Sequence, residues 1–246
     1  MKLIEATGRC IKNIQQLVWH NYCRSCNAVI SQQDQFFCSQ CTYKLGLCFV
    51  DSFCTRCGRE ISQFGQINCC GKCQDETICF DAIACAGIYQ PPLSNLIVSF
   101  KLGDQVSLLP ILSDFTRKAF ARTGFLKQID LLVPVPMHYL SQFQRGFNQS
   151  YLIAKSLNLP DVRINSELVR VRNTQSQTTV TFAQRPKNVL NAFAVRKNHH
   201  FEGKNICLID DVKTSGATLN ECAKTLKEAG AGKVFAFVLA VAGQGK

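Results

Sequence analysis

Four Cys-x-x-Cys pairs follow one another in the first third of the chain: Cys23/Cys26, Cys38/Cys41, Cys54/Cys57 and Cys70/Cys73, with 11, 12 and 12 residues between them. One such turn points two thiolates at a common centre, and two turns complete the tetrahedral S₄ shell that a structural Zn²⁺ prefers. The segment has few large apolar residues for its length, so its fold is expected to depend on metal. Redox Cys-x-x-Cys motifs come singly, and disulfide scaffolds are short secreted chains. This chain has 246 residues and gathers most of its 15 cysteines before residue 80. The spacing therefore predicts two structural zinc sites, each closed by four protein thiolates, with no open position for a reactive water. Sequential pairing, with the first two pairs on one ion and the last two on another, is favoured over a cross-braced arrangement. Cys69 competes with Cys70, because its own spacing to Cys73 also suits a ligand pair. Cys10, Cys48, Cys79, Cys85, Cys207 and Cys222 read as small buried side chains.

Beyond residue 85 the texture changes to apolar runs alternating with helical periodicity. Strands are predicted over 129–136, 205–209 and 233–242, and helices over 149–157 and 217–229, the last one stopped by Gly230. Strand, helix and strand with short connections specify a parallel sheet covered on both faces. The predicted organisation is an N-terminal helical segment over 1–22, a double zinc-binding domain over 23–80 and an α/β domain over 86–246. No apolar run approaches the roughly 18 residues that span a bilayer, and the N-terminus lacks the continuous apolar core of a signal peptide. A soluble, cytoplasmic protein without membrane insertion is expected.

The chain carries 28 Lys and Arg against 17 Asp and Glu, a net charge of +11. Residues 1–85 hold 8 basic and 7 acidic side chains, and residues 86–246 hold 20 and 10, so the surplus belongs to the α/β part. It points to an anionic partner there: nucleic acid, a nucleotide, a phosphorylated sugar or an acidic membrane surface.

In Leu208-Ile-Asp-Asp-Val-Lys-Thr-Ser-Gly-Ala-Thr-Leu219 a buried strand runs into two carboxylates and then into a turn that opens a helix. The turn offers hydroxyls, a residue without Cβ and unpaired backbone N–H groups, which suit a phosphate monoester. Asp210 and Asp211 can accept hydrogen bonds from the hydroxyls of a ribose whose 5′-phosphate rests in the turn. An ordinary capped helix would also explain Thr214 or Ser215. Two adjacent acids at the carboxyl edge of a parallel sheet favour the ligand site.

The stretch resembles the phosphoribosyl-pyrophosphate (PRPP) loop of type I phosphoribosyltransferases, Asp-Asp-Val-x-Thr-Thr-Gly-x-Thr, with Ser215 keeping the hydroxyl of the second Thr. Further motifs are Val133-Pro-Val-Pro136, Arg145-Gly-Phe-Asn-Gln149, Arg170-x-Arg172-x-Thr174-x₂-Gln177 and Arg185-x₂-Asn188-x₃-Ala192-Phe193. With the cysteine-rich head, their order is similar to that of the ComF family of competence proteins, including ComFC and GntX-like members, from about Cys23 to Val241. The resemblance implies a type I phosphoribosyltransferase-like parallel sheet flanked by helices and preceded by a small Cys₄ zinc-binding domain. It implies a site for PRPP or ribose 5-phosphate, with Mg²⁺, made by Asp210, Asp211, Lys213, Thr214, Ser215, Gly216, Ala217 and Thr218. Pro136, Met137 and His138 would form the pyrophosphate-binding loop. Arg145, Asn148 and Gln149 would lie just beyond it, and a hood would run from about Arg172 to Arg185. The family's link to natural transformation implies action inside the cell on an incoming single strand.

Arg172 to Arg185 contains no Asp, Glu, His or Lys, so the hood reads as a binding segment without an evident general base. His138 reads as a hydrogen-bonded loop residue, and His199 and His200 as a surface turn. Residues 101–197 hold 14 basic and 5 acidic side chains. Lys101, Arg145, Arg170, Arg172, Arg185 and Lys187 are the candidate contacts to single-stranded DNA, with Tyr139, Phe143, Phe147 and Tyr151 as candidates for base stacking. Three functions fit: a DNA-processing factor that binds a ribose phosphate and single-stranded DNA, an active transferase of nucleotide salvage, and an adaptor whose zinc head docks a helicase or another uptake protein. The charge partition favours the first over the second.

Overall fold

The computed structural model describes residues 21–31, 36–49, 52–61, 70–101, 108–174, 181 and 184–242. Of the helical segment expected over 1–22, residues 1–20 lie outside the described residues, as does Cys69. The chain divides into two compact units, Met1–Leu47 and Cys48–Lys246, with one cysteine cluster in each.

In the smaller unit, β1 (Asn21–Tyr22) pairs antiparallel with β2 (Val29–Ile30), and α1 (Ser39–Leu47) follows. The turn between the strands is held by Cys23 N–H to Ala28 O at 2.8 Å and Asn27 N–H to Cys23 O at 2.9 Å. Its buried apolar residues among those described are Cys23, Ile30, Phe37 and Cys41, too few to fold without a further tie.

The larger unit is built on a parallel sheet of β3 (Ala82–Ile88), β4 (Leu131–Pro134), β5 (Arg163–Ile164), β8 (Ile206–Lys213) and β9 (Val234–Val241), in the order β3-β9-β8-β4-β5. A separate antiparallel pair, β6 (Leu168–Arg170) and β7 (Phe193–Val195), stands beside it. The helices are α2 (Leu93–Lys101), α3 (Leu109–Phe120), α4 (Tyr139–Arg145), α5 (Gln149–Leu157), α6 (Arg185–Val189) and α7 (Ala217–Glu228).

β9 is buried at every position because both faces of the sheet are covered. Side chains alternate along a strand, so one face presents Val234, Ala236 and Val238 to Leu219, Cys222, Ala223 and Leu226 of α7. The other presents Phe237, edge-on to Phe120 of α3 at 5.0 Å, and Phe235, stacked on Phe125 at 4.6 Å. Each buried Phe contributes about 1.5–3 kcal/mol of transfer free energy. The flanked parallel sheet expected from the sequence is the fold.

The second cysteine cluster is fastened to the edge of this sheet. Ile83 N–H donates to Thr55 O at 2.7 Å, and the Cys85 thiol donates to Gly58 O at 3.4 Å. Gly58, at φ +76°, lies so close that a Cβ there would stand 3.3 Å from Cγ2 of Val241. Asn220 of α7 adds a clamp, donating to Thr77 O at 2.7 Å and accepting from Cys79 N–H at 2.6 Å. Cys48, Cys85, Cys207 and Cys222 are buried single cysteines and Cys79 is half-buried. Burial pushes the Cys85 thiol up to about 12, which makes it inert.

Candidate functional site

Both clusters use sequential pairs. Cys23, Cys26, Cys38 and Cys41 form one, and Cys54, Cys57, Cys70 and Cys73 the other, with the four sulfurs of each set within 4.8 Å of one another. Zn–S bonds of about 2.3 Å in a tetrahedron place sulfurs about 3.8 Å apart. The observed Sγ–Sγ distances include 3.8 Å for Cys26 and Cys38, 3.6 Å for Cys54 and Cys73, and 3.4 Å for Cys57 and Cys70. One thiol in each set is also held toward its thiolate. Burial works to raise the pKa of Cys54, yet the backbone N–H groups of Cys70, Cys57 and Arg56 hold it down at about 6; those of Cys26, Cys38 and Ser25 do the same for Cys23. N–H groups aimed at sulfur stabilise the thiolate that a metal needs. Both sets could hold zinc in closed S₄ shells.

The second feature lies at the carboxyl end of β8. Asp210 and Asp211 stand side by side there, followed by Thr214, Ser215 and Gly216, and α7 begins at Ala217. Three neighbours hold the acids. Ser150 Oγ donates to Asp210 Oδ1 at 3.0 Å, the N–H of Asp211 donates to the same oxygen at 2.9 Å, and Lys101 Nζ lies 3.0 Å from Asp211 Oδ1. Burial, reinforced by the charge of Asp211, raises the Asp210 carboxyl to about 7. The lysine at the end of α2 thus belongs to the acid pair, although its sequence suggested only a nucleic-acid contact. Ser150 is a site residue that the sequence reading missed; its signal was adjacency to the Arg145-to-Gln149 motif.

Gly216 adopts φ +81°, a left-handed conformation that a residue with a side chain rarely takes. The space beneath it belongs to Lys213, whose Cε would lie 2.8 Å and Nζ 3.3 Å from an added Cβ. Lys213 is only 5% exposed, so its side chain fills the floor of the turn. Burial lowers its pKa. Ser215 Oγ accepts from Ala217 N–H at 3.3 Å, which shapes the turn.

The strand β4 delivers the second loop. Pro136 and Met137 are half-buried, and the buried His138 caps α4 by accepting from Leu140 N–H at 3.4 Å. Asn148 caps α5, accepting from Tyr151 N–H at 3.4 Å, and its Nδ2 donates to Val135 O at 3.1 Å. Together they fix α4 and α5 to the end of β4 and so set Ser150 against Asp210.

The basic candidates are placed variously. Arg145 reaches Met137 Sδ at 3.9 Å. Arg170 is half-buried, lies over the Phe193 ring at 5.6 Å and donates to Thr174. Arg172 donates to Leu190 O, Arg185 starts α6, and Lys187 is exposed. Residues 175–180 and 182–183 of the expected hood lie outside the described residues. His200 is exposed, at 2.8 Å from Glu167 Oε1, as expected of a surface turn. Among the described residues no helix is long and apolar enough to cross a membrane.

The raised pKa of Asp210 fixes a sign. Its carboxyl ionises near 3.8 in an unfolded chain and at about 7 in the fold, so the folded state holds the extra proton. Stability is therefore lost as pH rises from about 4 to 7. Asp210→Asn is expected to raise the melting temperature at pH 8 and to change it little at pH 4. Equal effects at both pH values would show that the carboxyl does not carry the strain.

No family model matches the chain. It is 36% identical over 162 residues to competence protein F of Haemophilus influenzae, covering 63% of this chain and 70% of that protein. It is 34% identical over 154 residues to competence protein ComFC of Bacillus subtilis, covering 61% and 60%. It is also 34% identical over 151 residues to DNA utilization protein YhgH of Escherichia coli K12, covering 59% and 66%. Similar solved structures include a purine phosphoribosyltransferase from Pyrococcus horikoshii, at 14% identity and a TM-score of 0.30 over 53% of this chain and 74% of that one. Another is an adenine phosphoribosyltransferase from Trypanosoma brucei, at 14% identity and 0.34 over 57% and 67%.

Proposed function

Because the chain belongs to the ComF family of competence proteins, we propose that it is a cytoplasmic factor of DNA uptake that binds a ribose phosphate of the PRPP class, with Mg²⁺, and single-stranded DNA. The observation that carries the ribose-phosphate part is the acid pair at the end of β8, followed by the Gly216 turn at the start of α7. Asp210 and Asp211 accept from the ribose hydroxyls. The backbone N–H groups and hydroxyls from Thr214 to Thr218 take the 5′-phosphate. Carboxylate oxygens are the donors that Mg²⁺ takes besides phosphate and water. Lys101 and Lys213 add the positive charge that a pyrophosphorylated sugar requires. The DNA part is supported by the names of the relatives and by the charge surplus.

Calorimetry with PRPP is expected to give saturable binding that depends on Mg²⁺. Adding a nucleobase, a nucleoside or single-stranded DNA in turn, and assaying released pyrophosphate, separates a transferase from a binding protein. No heat at millimolar PRPP would sink the ribose-phosphate reading. For DNA, three or four phosphate contacts are expected to give a slope of about −2 to −3 in log binding constant against log salt. Lys101→Ala is expected to weaken PRPP binding and leave that slope alone, since its ammonium is engaged by Asp211.

A further inference from the structure

The helix α4 exposes what a folded chain ordinarily covers. Phe143 is 88% exposed, Tyr139 69% and Leu140 43%, and Tyr151 on the neighbouring α5 is 41% exposed. Tyr139 and Phe143 are four residues apart and so share one side of the helix. A cavity of about 490 Å³ opens next to them, lined by Met137, Tyr139, Phe147, Tyr151, Arg170 and Arg196 among others. Its lining includes two arginines and no carboxylate. From Leu131 to Pro160 the chain contains Arg145 and Lys155 but no Asp or Glu. Contiguous exposed apolar groups mark an interaction site, and this one combines π faces with the positive charge of Arg145 and Arg196.

We infer that this face of α4 and α5 is a stacking platform for consecutive unpaired bases of a DNA strand whose phosphates run to Arg145 and Arg196. A single strand offers both complements at once: flat base faces for Tyr139, Phe143 and Tyr151, and a phosphate on every nucleotide for the arginines. A duplex hides its base faces in the stack and meets only the charge. An acidic protein segment would likewise use the arginines without needing the aromatic rings. The inference rests on the single-stranded DNA reading and adds where the strand lies and what grips the bases. Tyr139, Phe143, Tyr151 and Arg196 are none of the residues assigned to PRPP, so the two ligands are separable by substitution at these positions.

The test uses the full-length protein with its zinc, a 20-nucleotide oligothymidylate for anisotropy and a strand bearing 2-aminopurine for stacking. Tyr139→Ala and Phe143→Ala are each expected to weaken binding about fivefold or more, with the salt slope unchanged. Phe143→Trp is expected to retain the affinity. Quenching of 2-aminopurine is expected with the wild-type protein and lost in the double alanine variant. Arg196→Ala is expected to flatten the salt slope instead, by about one phosphate contact. PRPP affinity, measured in parallel, is expected to stay the same in every variant. Undiminished DNA binding in both alanine variants, or a duplex bound as tightly as the strand, overturns the platform while leaving the DNA reading standing. Absence of strand binding by the wild type at low salt overturns both.

Discussion

Chelation is expected to release two zinc ions per chain and to weaken ribose-phosphate binding at the same time. Structural zinc contributes roughly 10–16 kcal/mol of apparent binding free energy at neutral pH, as much as an entire domain's stability. Among the described residues around the second cluster the buried apolar side chains are Cys54, Cys57 and Cys73, with Ile61, Cys70 and Ile78 against them, so a bound ion would serve as the core. This cluster is bound to β3 through Thr55 and Gly58, and Asn220 joins the segment following it to α7. The helix so clamped is the one that the Gly216 turn opens. Cys54→Ser with Cys57→Ser is therefore expected to lower PRPP affinity at least tenfold, while circular dichroism still reports the β8–β9 core of the sheet. Metal analysis near one ion per chain would refute the two-site reading. Unchanged PRPP affinity after loss of the second ion would show that the docked cluster does not support the turn.

What the sequence made legible follows from how local each signal is. A Cys-x-x-Cys turn and an Asp-Asp strand end are set by a few neighbouring residues, so both cysteine quartets and the strand–turn–helix around Gly216 could be read directly. An unbroken apolar run likewise exposed β9, because burial on both faces leaves no polar position in Val234 to Val241. What depended on tertiary contact was hidden. Lys101 lies over a hundred residues before Asp211, and nothing near it in sequence announces an acid partner. The floor of the turn was also hidden: the side chain of Lys213 lies against the missing Cβ of Gly216. Which of the four stacking candidates is exposed was equally hidden, since a Phe in a helix is ordinarily core, and Phe143 is the most exposed of them.

Replacing both acids, Asp210→Asn with Asp211→Asn, is expected to reduce PRPP affinity by about 10²–10⁴-fold, from charge-assisted hydrogen bonds of about 1.5–3 kcal/mol each. Loss of Asp211 also releases Lys101 from its 3.0 Å contact, which removes a second fixed charge from the site. Gly216→Val is expected to weaken PRPP binding as well, but for a different reason. A Cβ at φ +81° is strained, and it would sit 2.8 Å from Lys213 Cε, so the end of that buried side chain must shift. Stability separates the two mechanisms. The amide variant relieves the repulsion between adjacent carboxylates and is expected to melt higher than the wild type at pH 8, whereas Gly216→Val is expected to melt lower at any pH. A double-amide protein that melts higher yet binds PRPP as well as the wild type would mean that the acids are only a source of strain and that the sugar binds elsewhere.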